Sequence, residues 1–305
     1  LSNNGVKNIT SVGSVGTGDL KFISSSLPNV TYTVTVADSG GNKYFIDGVA
    51  QDTLSLYRGG TYTFDQSHSS NSGHPLRLSS TSNGTHGGGS EYTTGVTTTG
   101  TAGSSGAKTV ITVAQDAPTL YYYCTNHSGM GGTANISGVS NISFTSGIDS
   151  TYKEYVFFFN NIHPATDVAH FEFNGSTDGG SNYNVTKTTT VFRAYHTEND
   201  STANLLYEGS FDLAQSTAFQ ELAYNTGNNN DDNVTGYLQI FNPSDTTFVK
   251  HFISRTSYSH QTSAAAEIDS SCAGYFNTTS AIDAIRFQMS SGNIDSGDIL
   301  LYGVN

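Results

Sequence analysis

Val30, Tyr32, Val34 and Val36 alternate with Thr31, Thr33 and Thr35. This period of two predicts a strand with one face toward a core. Leu54-Ser55-Leu56 and Tyr62-Thr63-Phe64 flank Arg58-Gly59-Gly60, the pattern of a hairpin closed by a glycine turn. Val110 to Val113 and Leu120 to Cys124 read as two further strands separated by a turn at Asp116-Ala117-Pro118. Gly236 to Phe241 and Thr246 to Ile253 read as another hairpin around Asn242-Pro243-Ser244-Asp245. Stretches of Gly, Ser, Thr and Asn separate these runs, and helical periodicity is almost absent. Only Thr217 to Tyr224 predicts a short helix. Many short strands punctuated by turns imply an all-β protein built from sandwiches or barrels.

The pattern changes between residues 140 and 150. A Gly/Thr/Ser-rich stretch gives way to the aromatic run Tyr155-Val156-Phe157-Phe158-Phe159, and the chain closes on Leu300-Leu301-Tyr302. Two β-sandwich domains are expected, at residues 29–146 and 147–305. Residues 1–28 are polar and glycine-spaced, and read as a linker or a strand exchanged with a neighbouring subunit.

Composition narrows the function. Charged residues make up 12% of the 305, about half the roughly 25% of an ordinary soluble domain. Lys and Arg number 12 against 25 Asp and Glu, a net charge of −13. That balance repels polyanions and argues against nucleic acid or anionic lipid as a partner. No apolar run reaches the length of a membrane-spanning helix. The first residue is Leu1, so the sequence reads as a processed chain or a piece of a longer one. Cys124 and Cys272 fall in different expected domains, and no bridge between them is expected. Triplets such as Asn83-Gly84-Thr85 and Asn277-Thr278-Thr279 arise by chance in a chain this rich in Asn, Ser and Thr.

One constellation carries metal chemistry. Cys124-Thr125-Asn126-His127-Ser128-Gly129-Met130 follows the strand ending at Cys124, and His74 stands fifty positions upstream. A thiolate, two imidazoles and a thioether are the donors of a blue-copper site, with three strong ligands and a weak axial methionine. Leu120, Tyr122 and Cys124 share one strand face, and Gly129, Gly131 and Gly132 let a tight loop return His127 and Met130 toward it. The bland alternative is a buried Cys124 acting as a small hydrophobe. With these residues in view, Asn29 to about Phe144 resembles a cupredoxin, the plastocyanin-like Greek-key sandwich. The resemblance implies His74, Cys124, His127 and Met130 as ligands to one copper ion. One departure stands out: in that family the residue after the first histidine commonly donates its N–H to the cysteine sulfur. Here that residue is Pro75, which has no N–H.

Other candidates are weaker. His68 and His86 flank His74 and offer an accessory metal site, or are solvated loop residues. Asn228-Asn229-Asn230-Asp231-Asp232 offers oxygens to calcium but lacks the spacing of a defined loop. His163, His170, His196, His251 and His260 are scattered. No nucleophile elbow, phosphate loop or paired-carboxylate motif is visible, and no enzymatic activity is expected.

The C-terminal stretch runs Ile285-Arg286-Phe287, then Gly292-Asn293-Ile294-Asp295-Ser296-Gly297, then Leu301-Tyr302-Gly303. This ending resembles the C-terminal, jelly-roll-like β-sandwich of virion appendage proteins of tailed bacteriophages, marine phages in particular. The resemblance implies a tail fibre, head fibre or capsid decoration on the virion surface. It also implies other virion proteins as partners and assembly as a homo-oligomer, a trimer above all. Aromatic and Asn/Thr-rich loops suit contacts with a host glycan or protein. The competing expectation is an extracytoplasmic blue-copper electron carrier with a C-terminal docking domain.

Overall fold

Strand formation follows the alternation closely enough that the described residues are almost entirely β-structure and connecting turns. The structure is a computed structural model, and it describes residues 20–25, 28–114, 116–261 and 266–304. The chain divides into two units, Leu27–Val139 and Ser140–Asn305, the latter joined by the N-terminal segment up to Ser26. Of that segment, β1 (Leu20–Ser25) pairs antiparallel with the last strand of the same chain, from Leu20 opposite Val304 to Ser25 opposite Leu300. In this structure these six residues form an edge strand on the second unit of their own chain. Residues 1–19 of the expected linker lie outside the described residues.

The first unit contains β2 (Asn29–Asp38), β3 (Asn42–Ile46), β4 (Val49–Ala50), β5 (Leu54–Tyr57), β6 (Thr61–Asp65) and β7 (Leu76–Ser79). It continues with β8 (Val96–Thr99), β9 (Lys108–Thr112), β10 (Leu120–Cys124) and β11 (Gly132–Ser137). One sheet has the order β4-β3-β2-β6-β9-β8 and the other β5-β11-β10-β7. Alternate residues face a shared core: Val34, Tyr44, Tyr62, Phe64 and Ile111 from the first sheet, and Leu54, Leu56, Leu76, Leu78, Leu120, Tyr122 and Cys124 from the second. The expected hairpin around Arg58-Gly59-Gly60 does not form. β5 runs parallel to β11, and β6 parallel to β2, in different sheets. Both strands carry one apolar face, and a sandwich sets such faces opposite each other rather than side by side. The Gly59 turn, at φ +74°, carries the chain across.

The second unit adds β12 (Asn141–Phe144), β13 (Glu154–Pro164), β14 (Ala169–Ser176), β15 (Lys187–Thr197), β16 (Ala203–Tyr207) and β17 (Gln220–Thr226). It ends with β18 (Val234–Phe241), β19 (Lys250–His260), β20 (Ala266–Phe276), β21 (Ala284–Met289) and β22 (Ile294–Val304). β12 pairs with β21, so it belongs to this unit although the sequence pattern ends the first domain at 146. The path β1-β22-β13-β18-β19-β17-β14-β21-β12 forms one 12-stranded sheet, with β20, β15 and β16 branching from β19. Its arms fold over a phenylalanine core. Phe157 of β13 meets Phe287 of β21 at 5.2 Å, and Phe173 of β14 meets Phe252 of β19 at the same centroid distance.

The hairpin predicted around Asn242-Pro243 is present, with Ile240 opposite Phe252, although its second strand begins at Lys250. The predicted helix at Thr217 to Tyr224 is instead the strand β17. Its backbone pairs with β14, and Gln220 is fully buried. The two closing strands, β21 and β22, do not pair with each other and lie in different arms.

Candidate metal centre

Cys124 is the last residue of β10, opposite Leu76, the first residue of β7. His74 precedes β7 by two residues, so antiparallel pairing alone brings it to the same sheet end as Cys124. The Thr125 N–H donates to the Pro75 carbonyl at 3.1 Å and continues the register past the strands. The chain then turns back through Gly129, at φ +72°. At Gly131 any side chain would run into the Tyr122 carbonyl. Asn83 ties this loop down, donating to Ser128 Oγ at 2.8 Å and accepting from the Gly129 N–H at 2.8 Å. The Asn126 amide donates to the Gly73 carbonyl at 2.9 Å and joins the loop to the approach to His74.

The result is a triangle of donors. The Cys124 sulfur lies 3.9 Å from His74 Nδ1 and 3.7 Å from His127 Nδ1. All three ligand atoms fall within 4.8 Å of one another. With metal–sulfur near 2.3 Å and metal–nitrogen near 2.0 Å, donors set 120° apart are separated by roughly 3.7 Å. The group can therefore hold a metal ion. Cys124 is buried, His74 is partly buried and His127 is exposed. Met130 is 1% exposed, packs in the same core cluster as Cys124, and accepts the Tyr44 N–H on its carbonyl at 2.9 Å.

Burial, with the neighbouring His127 second, lowers the pKa of His74. Its imidazole therefore keeps a free lone pair at neutral pH. Its backbone is held on three sides. The Tyr44 hydroxyl and the Gln66 amide donate to the His74 carbonyl at 2.7 and 2.9 Å. The His74 N–H donates to the Asn71 carbonyl at 2.8 Å. Gln66 also accepts the Leu76 N–H on its Oε1 at 3.0 Å, so one buried side chain braces both sides of Pro75. Burial, and next the Cys124 sulfur beside it, push the Tyr44 phenol far up. Tyr44 thus remains a neutral donor near the sulfur that Pro75 cannot serve. Tyr44, Gln66 and Asn71 carry no signal in sequence beyond ordinary strand and loop positions.

The accessory histidines are committed elsewhere. His68 Nδ1 pairs with Ser70 Oγ at 2.8 Å and caps the short 3₁₀ turn Ser69–Asn71. His86 Nε2 pairs with the Cys124 carbonyl at 3.0 Å. Asn229 and Asp232 close a polar turn on each other. Among the described residues, only His74, Cys124 and His127 form a group of three with metal-binding geometry. Cys124 and Cys272 are both free thiols.

No family model, curated protein or solved structure matches the chain.

Proposed function

We propose that the first unit binds one copper ion through His74, Cys124, His127 and Met130, and that the whole chain is a non-enzymatic structural protein of a bacteriophage particle surface. The copper reading is carried by the His74–Cys124–His127 triangle, with its sulfur–nitrogen separations of 3.9 and 3.7 Å. A thiolate with two imidazoles and a nearby thioether is a donor set that suits copper. Bound there, copper supplies one-electron chemistry or a cross-link between the strand ends. The chain's own residues hold its ligands in place: Gln66 and Tyr44 fix His74, and Asn83 fixes the loop that bears His127.

Titration with Cu(II) tests the site. One equivalent is expected to raise a thiolate-to-copper band in the visible, and Cys124→Ser is expected to abolish it. A wild-type protein without the band, or a Cys124→Ser protein that keeps it, overturns the assignment. Zinc bound with no visible band would retain the site and replace the metal.

The particle-surface reading is supported by the closing sequence Ile285-Arg286-Phe287 to Leu301-Tyr302-Gly303 and by the low charge of a chain rich in small polar residues. Antibody labelling of purified virions tests it directly, and particles that bind none of the antibody would sink it. A second reading, an electron carrier, is favoured by one observation. His127 is exposed, and so offers a ligand at the surface to a redox partner. A reversible Cu(II)/Cu(I) couple would support that reading.

A further inference from the structure

The second unit buries an amine that the metal centre does not use. Lys187, the first residue of β15, is completely buried. Its Nζ lies 2.6 Å from Oδ1 of Asn174 on β14, 2.8 Å from the Ala218 carbonyl and 3.1 Å from the Val185 carbonyl. Asn174 is buried just as fully. Its carboxamide is fixed on every side. The Gly175 N–H donates to Oδ1 at 2.8 Å, while Nδ2 donates to the Tyr183 and Thr217 carbonyls at 3.0 and 2.9 Å. Phe276, the register partner of Lys187, lays its ring where a side chain on Gly175 would stand. Two residues before Asn174, on the same strand face, stands Glu172, whose charge acts on Lys187.

These groups are arranged for an acyl transfer within the chain. A carbonyl bond adds at most about 1.2 Å beyond Oδ1, so Cγ of Asn174 lies within about 3.8 Å of the Lys187 nitrogen. Near-attack distances are roughly 3–3.5 Å. We propose that Lys187 and Asn174 join in an intramolecular isopeptide bond that links β15 to β14. The Nζ lone pair attacks Cγ, and the Gly175 N–H stabilises the charge that develops on Oδ1. Glu172 takes a proton from Nζ and returns it to Nδ2. The Cγ–Nδ2 bond breaks and ammonia leaves, with one C–N bond made, one broken and no oxidant required.

Two conditions favour the step. Burial pushes Lys187 down to about 7, so the nucleophilic neutral amine is populated at neutral pH despite three acceptors that favour the ammonium. Burial also pushes the Glu172 carboxyl up, against the Gln288 amide that donates to its Oε1 at 2.8 Å, and a raised carboxyl is the stronger base toward Nζ.

Mass spectrometry of the purified full chain is the test. The intact protein is expected one ammonia lighter than its sequence. A proteolytic digest is expected to contain the Lys187 peptide joined to the Asn174 peptide. Lys187→Arg should restore the sequence mass, and Glu172→Gln, checked for native circular dichroism, should leave the two peptides separate. Asn174-Gly175 is also a sequence that cyclises to a succinimide with the same loss. An ammonia loss that survives Lys187→Arg and maps to Asn174 alone therefore overturns the proposal. A folded wild-type chain at full sequence mass overturns it too. A fully linked Glu172→Gln protein overturns the role given to Glu172.

Discussion

Pro75 cannot offer an N–H to the Cys124 sulfur, and the residues around it compensate in an identifiable way. Gln66 accepts from Leu76 and donates to His74, which fixes the backbone on both sides of the proline. Gln66→Ala is expected to lower metal affinity about 10–100-fold, the usual cost of losing a group that orients a ligand. A competition titration against a chelator measures this, with the visible band retained because the four proposed ligands are unchanged. Tyr44→Phe removes the hydroxyl that donates to the His74 carbonyl at 2.7 Å. It is expected to cost about 1 kcal/mol in chemical denaturation. At this scale the candidate donors were legible because Cys124, His127 and Met130 are close in sequence and chemically distinctive. Their supports were not, since Tyr44, Gln66 and Asn71 reach the site only through pairing across strands.

At the scale of elements, short-range alternation located most strands but not their partners. β5 and β6 look like a hairpin, and β21 and β22 like a closing pair, yet each pair is divided between sheets or arms. The arms of the second unit meet on Phe287, whose ring contacts Phe144, Phe157, Phe159, Phe171 and Phe173. Phe287→Ala is expected to cost about 3–5 kcal/mol through the cavity it leaves, read as a lower denaturation midpoint. Between β14 and β17, His170 Nδ1 lies 3.0 Å from Glu221 Oε1. Glu221 raises the pKa of His170, outweighing its burial. A raised histidine pKa gives stability that is complete below its unfolded value, about 6.5, and lost as pH rises through the higher folded value. Glu221→Gln should flatten that part of the stability–pH curve, measured by urea unfolding across neutral pH.

For the whole molecule, copper is expected to act on the transition of the unit that contains His74. Calorimetry of the full chain should show that transition rise, by about 2.7 kcal/mol at a hundredfold excess over Kd. Cys124→Ser should remove the response. Light scattering of the purified chain is expected to give a trimer or larger assembly, and a monomer would weaken the particle-surface proposal. The sequence by itself determined the all-β class, the change of character before the aromatic strand and the cluster of metal donors. Each depends on local periodicity or on residues near one another in the chain. Tertiary structure alone decided which strands pair, that Leu20–Ser25 docks on the final strand, and that Lys187 lies buried against Asn174. Those outcomes depend on which apolar faces cover each other, and residues far apart in sequence carry no local record of that choice.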